Sequence, residues 1–163
     1  MEKSGWGIIS TANIARKVAR AIKLSPSADI IAVSSRSLDK AKSFANDLSI
    51  PKAYGDHSEL LQDPEVEIVY VPLPTAVRKK WVLAAAAAKK HILCEKPCAV
   101  SLADLKEMVD ACRENKVQFM DGVMFEHHTR LELIKIVVGG ADFGPIKNVT
   151  SVDLFLWSAS ISK

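Results

Sequence analysis

The sequence is sparing with glycine, with seven in 163 residues. That is too little for a fibrous repeat or a flexible low-complexity chain. Cysteine is scarcer still. Cys94, Cys98 and Cys112 are odd in number and match no zinc or C-x-x-C spacing, so neither a disulfide framework nor a metal centre is expected. Cysteine usage of this kind points to a reducing compartment, the cytoplasm. Aromatic residues make up 6% of the chain. No aromatic platform accompanies the one dense basic cluster, Lys79, Lys80, Lys89 and Lys90. That cluster reads as solvated helix surface, and no nucleic-acid partner is expected. A strong charge of one sign is also missing; the formal net charge is +3. Long apolar runs are absent. Residues 81–88 are the longest and fall far short of a membrane span, so no membrane partner is expected. The first residues are polar, and no secretory signal is expected.

What is present is a regular alternation of two periods. Residues 5–10, 29–34, 67–71, 91–94 and 117–120 are short apolar runs that read as strands. Between them lie amphipathic stretches that read as helices, at 13–24, 38–48, 75–89 and 101–115, with a short one at 56–61. Asp56 with Glu59 resembles a capping box, and Ser101 is placed to cap its helix. Continuous apolar strands separated by such helices imply an α/β fold, a doubly wound parallel sheet covered on both faces. After a helix at 130–138, stopped by Gly139-Gly140, residues 146–157 read as one long extended segment. It does not belong to the same sheet. The expected organisation is therefore a domain over 1–125 and, over 126–163, a linker helix with the first strand of an incomplete second domain. A strand without a partner invites pairing, so a homodimer through this segment is expected.

Parallel sheets of this kind bind ligands outside the carboxyl ends of their strands. The first such place is "WGIISTANIARK", residues 6–17. A dinucleotide-binding turn there usually reads G-x-G-x-x-G, and here the three glycine positions are Ser10, Ala12 and Ala15. Two methyl groups are tolerable; a serine at the first position is harder if positive φ is needed. The helix N-terminus still offers free N–H groups to a phosphate, and Asn13 is placed to cap it. The second place follows the second strand. A NAD site would put Asp or Glu there; this chain has Ser35 and Arg36, with Lys40 one turn on. A guanidinium beside a hydroxyl and an ammonium suits a phosphate, which favours NADP over NAD. The third is Glu95-Lys96-Pro97 after the fourth strand, where a lysine can donate to a substrate oxygen or relay a proton.

"WGIISTANIARK", "AVSSRSLDKAKSFA", "VYVPLPTAV", "HILCEKP" and "MDGVMF" together, in this order and spacing, resemble the Gfo/Idh/MocA oxidoreductase family over residues 6–125. The resemblance implies a Rossmann-type N-terminal domain and hydride transfer between a nicotinamide cofactor and a sugar, polyol or related alcohol. It implies Lys96 as the residue that contacts substrate and assists proton transfer, with Glu95 and Pro97 completing its loop and all three counted among the cofactor-binding residues. Ser10, Thr11, Ala12, Asn13 and Ile14 match the phosphate turn. Ser35, Arg36 and Lys40 match the adenosine-ribose end, and Pro72, Leu73, Pro74 and Thr75 match the strand end beside the cofactor. His127, of the pair His127-His128, is the candidate that faces substrate.

Three departures stand out. The family often has histidine where this chain has Arg78, an extra cation expected near the nicotinamide ribose. The helix before the fourth strand usually ends in glycine, and here Lys89 stands there. The family's second domain, an antiparallel sheet that forms the substrate pocket, is represented by its first strand alone. The alternative to a working oxidoreductase is therefore a nucleotide-binding or interaction protein without catalysis.

Overall fold

A computed structural model of the chain describes residues 3–140 together with 144, 145, 147, 148 and 150. The elements run β1 (Ser4–Ile9), α1 (Asn13–Leu24), β2 (Ala28–Ser34), α2 (Leu38–Leu48), β3 (Lys52–Tyr54), α3 (His57–Gln62), β4 (Ile68–Val71), α4 (Thr75–Ala87), β5 (His91–Cys94), α5 (Leu102–Glu114) and β6 (Phe119–Asp121). The six strands form one sheet in the order β3-β2-β1-β4-β5-β6, and every pairing is parallel. This is the doubly wound α/β sheet that the alternating pattern implies. β3 was not anticipated. It is three residues long, and its Lys52-Ala53-Tyr54 carries no apolar run to distinguish it from a loop. The last strand starts two residues later than expected, at Phe119.

Alternate residues of each strand enter different cores, as strand geometry requires. Ile8, Val33 and Tyr70 pack against Ala15, Ala19 and Ile22 of α1 and Phe44, Ala45 and Leu48 of α2. Their neighbours Ile9, Ala32, Val69 and Val71 join Leu60 and Leu61 of α3, Val82, Ala85 and Ala86 of α4, and Met108 and Cys112 of α5. Cys94 and Cys112 are buried among apolar side chains. Glycine is used inside β1 instead of in the turn that follows it. A Cβ on Gly5 would lie 2.0 Å from the Glu65 carbonyl oxygen, and one on Gly7 would lie 2.8 Å from Leu60 Cδ2. These two glycines let α3 and the turn after it lie directly on the first strand.

Where glycine would ease a left-handed backbone, other residues stand. Ser49 (φ 49°) ends α2, Lys89 (φ 60°) follows α4 and Lys116 (φ 59°) follows α5. Lys89, where the resemblance would put glycine, thus takes up the left-handed conformation itself. Caps follow the sequence in part. Ser101 Oγ accepts from the Asp104 amide at 3.1 Å, and Asp56 accepts from the Ser58 amide at 2.6 Å. Glu59 makes no return bond among the described residues, so the Asp56 cap is one-sided.

The expected solvated lysine cluster is corrected at one position. Lys90 is buried, and its ammonium donates to the carbonyls of Asp63 (2.9 Å) and Val66 (2.7 Å). It locks the turn before β4 to the start of β5. Lys79 instead pairs with Asp104 and Glu107 of α5. Residues 1–123 form one compact unit and residues 124–163 a second. Among its described residues, the second contains a 3₁₀ turn, Met124–His127, and α6 (Arg130–Gly139). Of the expected extended segment at 146–157, only residues 147, 148 and 150 are among the described residues, so the proposed pairing strand lies outside them. No helix among the described residues is long and apolar enough to cross a membrane.

Candidate functional site

The carboxyl ends of β1, β2 and β4 open into a cleft of about 650 Å³. Ser10, Thr11 and Ala12 line it from β1, Ser35, Arg36 and Lys40 from β2 and α2, and Pro72, Leu73 and Pro74 from β4. These are nine of the residues that the sequence assigns to the cofactor. Asn13, Ile14 and Thr75 lie on the first turns of α1 and α4, behind the lining. The expected Asn13 cap is corrected: Ala12 is the N-cap, with no side-chain bond, and Asn13 is the first helical residue.

The turn after β1 shows how the fold manages without its first glycine. Ser10 has φ 127°, a backbone conformation that glycine adopts freely and serine rarely does. Its hydroxyl oxygen accepts from the Ala12 amide at 3.1 Å, and its own amide donates to the Ser34 carbonyl. The Ala15 amide turns back to the Ala12 carbonyl. The amides of Asn13 and Ile14 make no hydrogen bond among the described residues, so they remain as donors at the positive end of α1.

Arg36 and Lys40 are exposed at the mouth of the cleft, while Ser35 is buried beneath them. The side wall holds two residues that the sequence reading passed over. His57 is buried, shares a hydrogen bond of 2.8 Å between its Nδ1 and Ser34 Oγ, and meets Trp81 edge to face at 4.7 Å. Burial holds the His57 imidazole below its usual range; Asp56 opposes this, and Arg36 and Lys80 add to it. Trp81 of α4 also lines the cleft. Only the spacing of Trp81 one turn after Val77 on α4 could have suggested this.

Lys96 lies beyond the cleft, in the loop after β5. Its side chain is exposed and borders an adjoining hollow of about 460 Å³, lined also by Pro97, Cys98, Ser101, Leu105 and Asp121. The Lys96–Pro97 peptide bond is cis. Below the lysine, the buried Glu95 carboxylate accepts from the Tyr70 hydroxyl (2.8 Å) and from the Lys96 amide (3.1 Å). Burial, then the Glu95 contact, push the Tyr70 phenol well above its ordinary range, so it stays a donor. Burial likewise pushes the Cys94 thiol up to about 12 and raises Cys98, so neither is a ready nucleophile.

Arg78 lines the cleft. It is buried, and its guanidinium donates to the carbonyls of Leu73, Glu95 (2.6 Å) and Pro97. His127 belongs to the 3₁₀ turn of the second unit. No group of three or more metal-ligating side chains occurs among the described residues.

A parallel sheet with order 3-2-1-4-5-6, a helix N-terminus at the first strand and cationic groups at the second is a nucleotide-binding arrangement. The family profile described as "Oxidoreductase family, NAD-binding Rossmann fold" matches residues 4–123. The chain belongs to the Gfo/Idh/MocA oxidoreductase family. Its first compact unit is the NAD(P)-binding Rossmann domain of that family. Among curated relatives, the chain is 35% identical over 144 residues to trans-1,2-dihydrobenzene-1,2-diol dehydrogenase of Mus musculus, covering 87% of this chain and 43% of the relative. It is 34% identical to an uncharacterised oxidoreductase of Rhizobium meliloti, covering 93% and 46%. Among solved structures, a 3-ketoreductase from Actinomadura kijaniata in complex with TDP-benzene and NADP superposes with a TM-score of 0.81 at 29% identity, covering 85% of this chain and 44% of that one. An NAD binding oxidoreductase from Klebsiella pneumoniae superposes with a TM-score of 0.79 at 29% identity, covering 87% and 40%. The chain therefore spans somewhat less than half the length of these relatives.

Proposed function

We propose that this chain is the cofactor-binding part of an NADP-dependent oxidoreductase acting on a sugar, polyol or related diol. The observation that carries the cofactor choice is the end of β2. Arg36 and Lys40 flank Ser35 at the mouth of the cleft, and among the described residues no carboxylate lines it. A carboxylate at that place would receive the ribose hydroxyls of NAD; a guanidinium, an ammonium and a hydroxyl suit a 2′-phosphate. The NADP-bound 3-ketoreductase among the structural neighbours supports the same reading.

The residues present fit the cofactor. The free amides of Asn13 and Ile14 and the dipole of α1 would receive the pyrophosphate. His57 and Trp81 provide an apolar wall beside Arg36. Pro72, Leu73 and Pro74 close the cleft below β4 without a competing charge. A nicotinamide cofactor held there would supply hydride chemistry, the reduction of a carbonyl or the oxidation of an alcohol. Lys96 holds the other half of the balance: its ammonium gives a proton to the carbonyl oxygen as the hydride arrives, or its amine takes one from the hydroxyl. Its exposed position beside the adjoining hollow leaves the ammonium open to a substrate.

The test is calorimetric titration of the full chain with NADPH and NADH, alongside Arg36→Ala. The expected result is tighter binding of NADPH, weakened about 10- to 100-fold in the variant, with NADH affinity nearly unchanged. Equal loss for both cofactors would overturn the phosphate role of Arg36.

A further inference from the structure

We propose that Arg78 is a positioning residue, a buried tie that fixes the Lys96 loop to the floor of the cofactor cleft. A buried arginine ordinarily meets a carboxylate. Arg78 makes no salt bridge among the described residues. Its guanidinium is spent on backbone carbonyls from two separate strand ends. Nε donates to Leu73, after β4; Nη1 donates to Glu95 and Pro97, after β5. Carbonyls at the carboxyl edge of a parallel sheet have no strand partner beyond the last rung; of these three, only that of Glu95 has another donor among the described residues, the weak Cys94 thiol at 3.7 Å.

The geometry makes the tie specific. The guanidinium is planar and rigid, so three acceptors on one fork are fixed relative to each other. The two acceptors after β5 bracket Lys96. The lysine backbone is held from a second side by the Glu95 carboxylate, which accepts from the Lys96 amide and is anchored by the Tyr70 hydroxyl. A Cβ on Gly122 would come within 3.2 Å of that same carboxylate, so the β6 end is also shaped around it. Arg78 itself lines the cleft. One side chain thus spans from the cleft wall to the loop that carries the proton-transferring lysine. A histidine at this place has at most two ring N–H donors and could not hold all three carbonyls. The tie gains its purpose from the oxidoreductase reading of the cleft, but its existence is a matter of the fold alone.

The test is native-state hydrogen exchange of the full chain, comparing wild type with Arg78→Ala and Arg78→Lys. The amides to watch are Glu95, which donates to Val71, Lys96, which donates to the Glu95 carboxylate, and Gly122, which donates to Cys94. In Arg78→Ala these three should exchange about tenfold faster or more, with core amides of β1 unchanged. Millimolar guanidinium, far below denaturing levels, should refill the gap and restore protection, whereas equimolar urea should not. Arg78→Lys keeps the charge but not the fork, and should loosen the same amides while holding its melting midpoint; it carries the test if Arg78→Ala does not fold. Wild-type exchange at these amides in Arg78→Lys overturns the tie. So does a uniform rise across the sheet that guanidinium fails to reverse. NADPH is added as a separate arm. Localised loosening and guanidinium rescue in a chain that binds no NADPH would establish the tie and overturn the cofactor reading instead.

Discussion

Single residues in this chain carry burdens that glycine carries elsewhere. Lys89 holds a left-handed backbone at φ 60° after α4, a conformation that costs a residue with a Cβ about 1–2 kcal/mol. Part of that is returned by the unfolded state, where glycine is the more flexible residue. Lys89→Gly should therefore stabilise the fold by about 1 kcal/mol, read as a higher urea midpoint at unchanged slope. His57 gives a prediction of a different kind. Burial holds its folded pKa below the ordinary 6.5. Between the two values the unfolded chain binds a proton that the folded chain refuses. The contribution is fully present above 6.5 and is lost as pH falls from there to the folded pKa. Unfolding midpoints measured from about pH 7 to pH 5 should fall for the wild type and fall less for His57→Gln, which has no proton to gain there.

At the scale of elements, β1 leaves no room for a Cβ at either of its glycines. Gly5 faces the Glu65 carbonyl oxygen, which is backbone and cannot step aside, while Gly7 faces the tips of Leu60 and Val66, which can. Gly5→Ala should cost about 3 kcal/mol or more and Gly7→Ala about 1–3 kcal/mol. Denaturant titration of the two variants checks the order; an inverted order would show that α3 is not seated on the strand as described. The elements also show what a sequence can reveal. The long amphipathic helices and apolar strands were legible because their periodicity repeats over many residues. β3 was not, since three residues carry no period. The cleft residues after β1, β2 and β4 were legible because a parallel sheet puts its ligands at strand ends. Arg78, Lys90, His57 and Trp81 were not. Each is defined by a partner distant in sequence: Arg78 by Glu95 and Pro97, Lys90 by Asp63, His57 by Ser34 and Trp81 by His57. A charged residue on a helix looks solvated until the chain that covers it is in place.

For the whole molecule, the compact unit over residues 1–123 coincides with the span that matches the family profile. Both cores described for the sheet are filled from within that unit. A fragment ending at Val123 should therefore fold by itself, with a cooperative thermal transition and the mixed helix and strand signature of the full chain by circular dichroism. A non-cooperative melt would show that residues beyond Val123 are needed to complete a core.

The carbonyl cage around the Lys90 ammonium has a consequence for chemical history. An acylating reagent attacks the free amine of lysines that water can reach. Lys79, Lys80 and Lys89 stand at the surface or near it, but Lys90 donates to two carbonyls and is closed off. Acyl groups on Lys90 would have to be written during synthesis or in moments when β5 has come away from the turn before β4. Once written, they cancel the charge and fill the cage, so the molecule that bears them cannot close as before. The modification state of this one lysine is thus a ledger of past openings, kept in the chain itself.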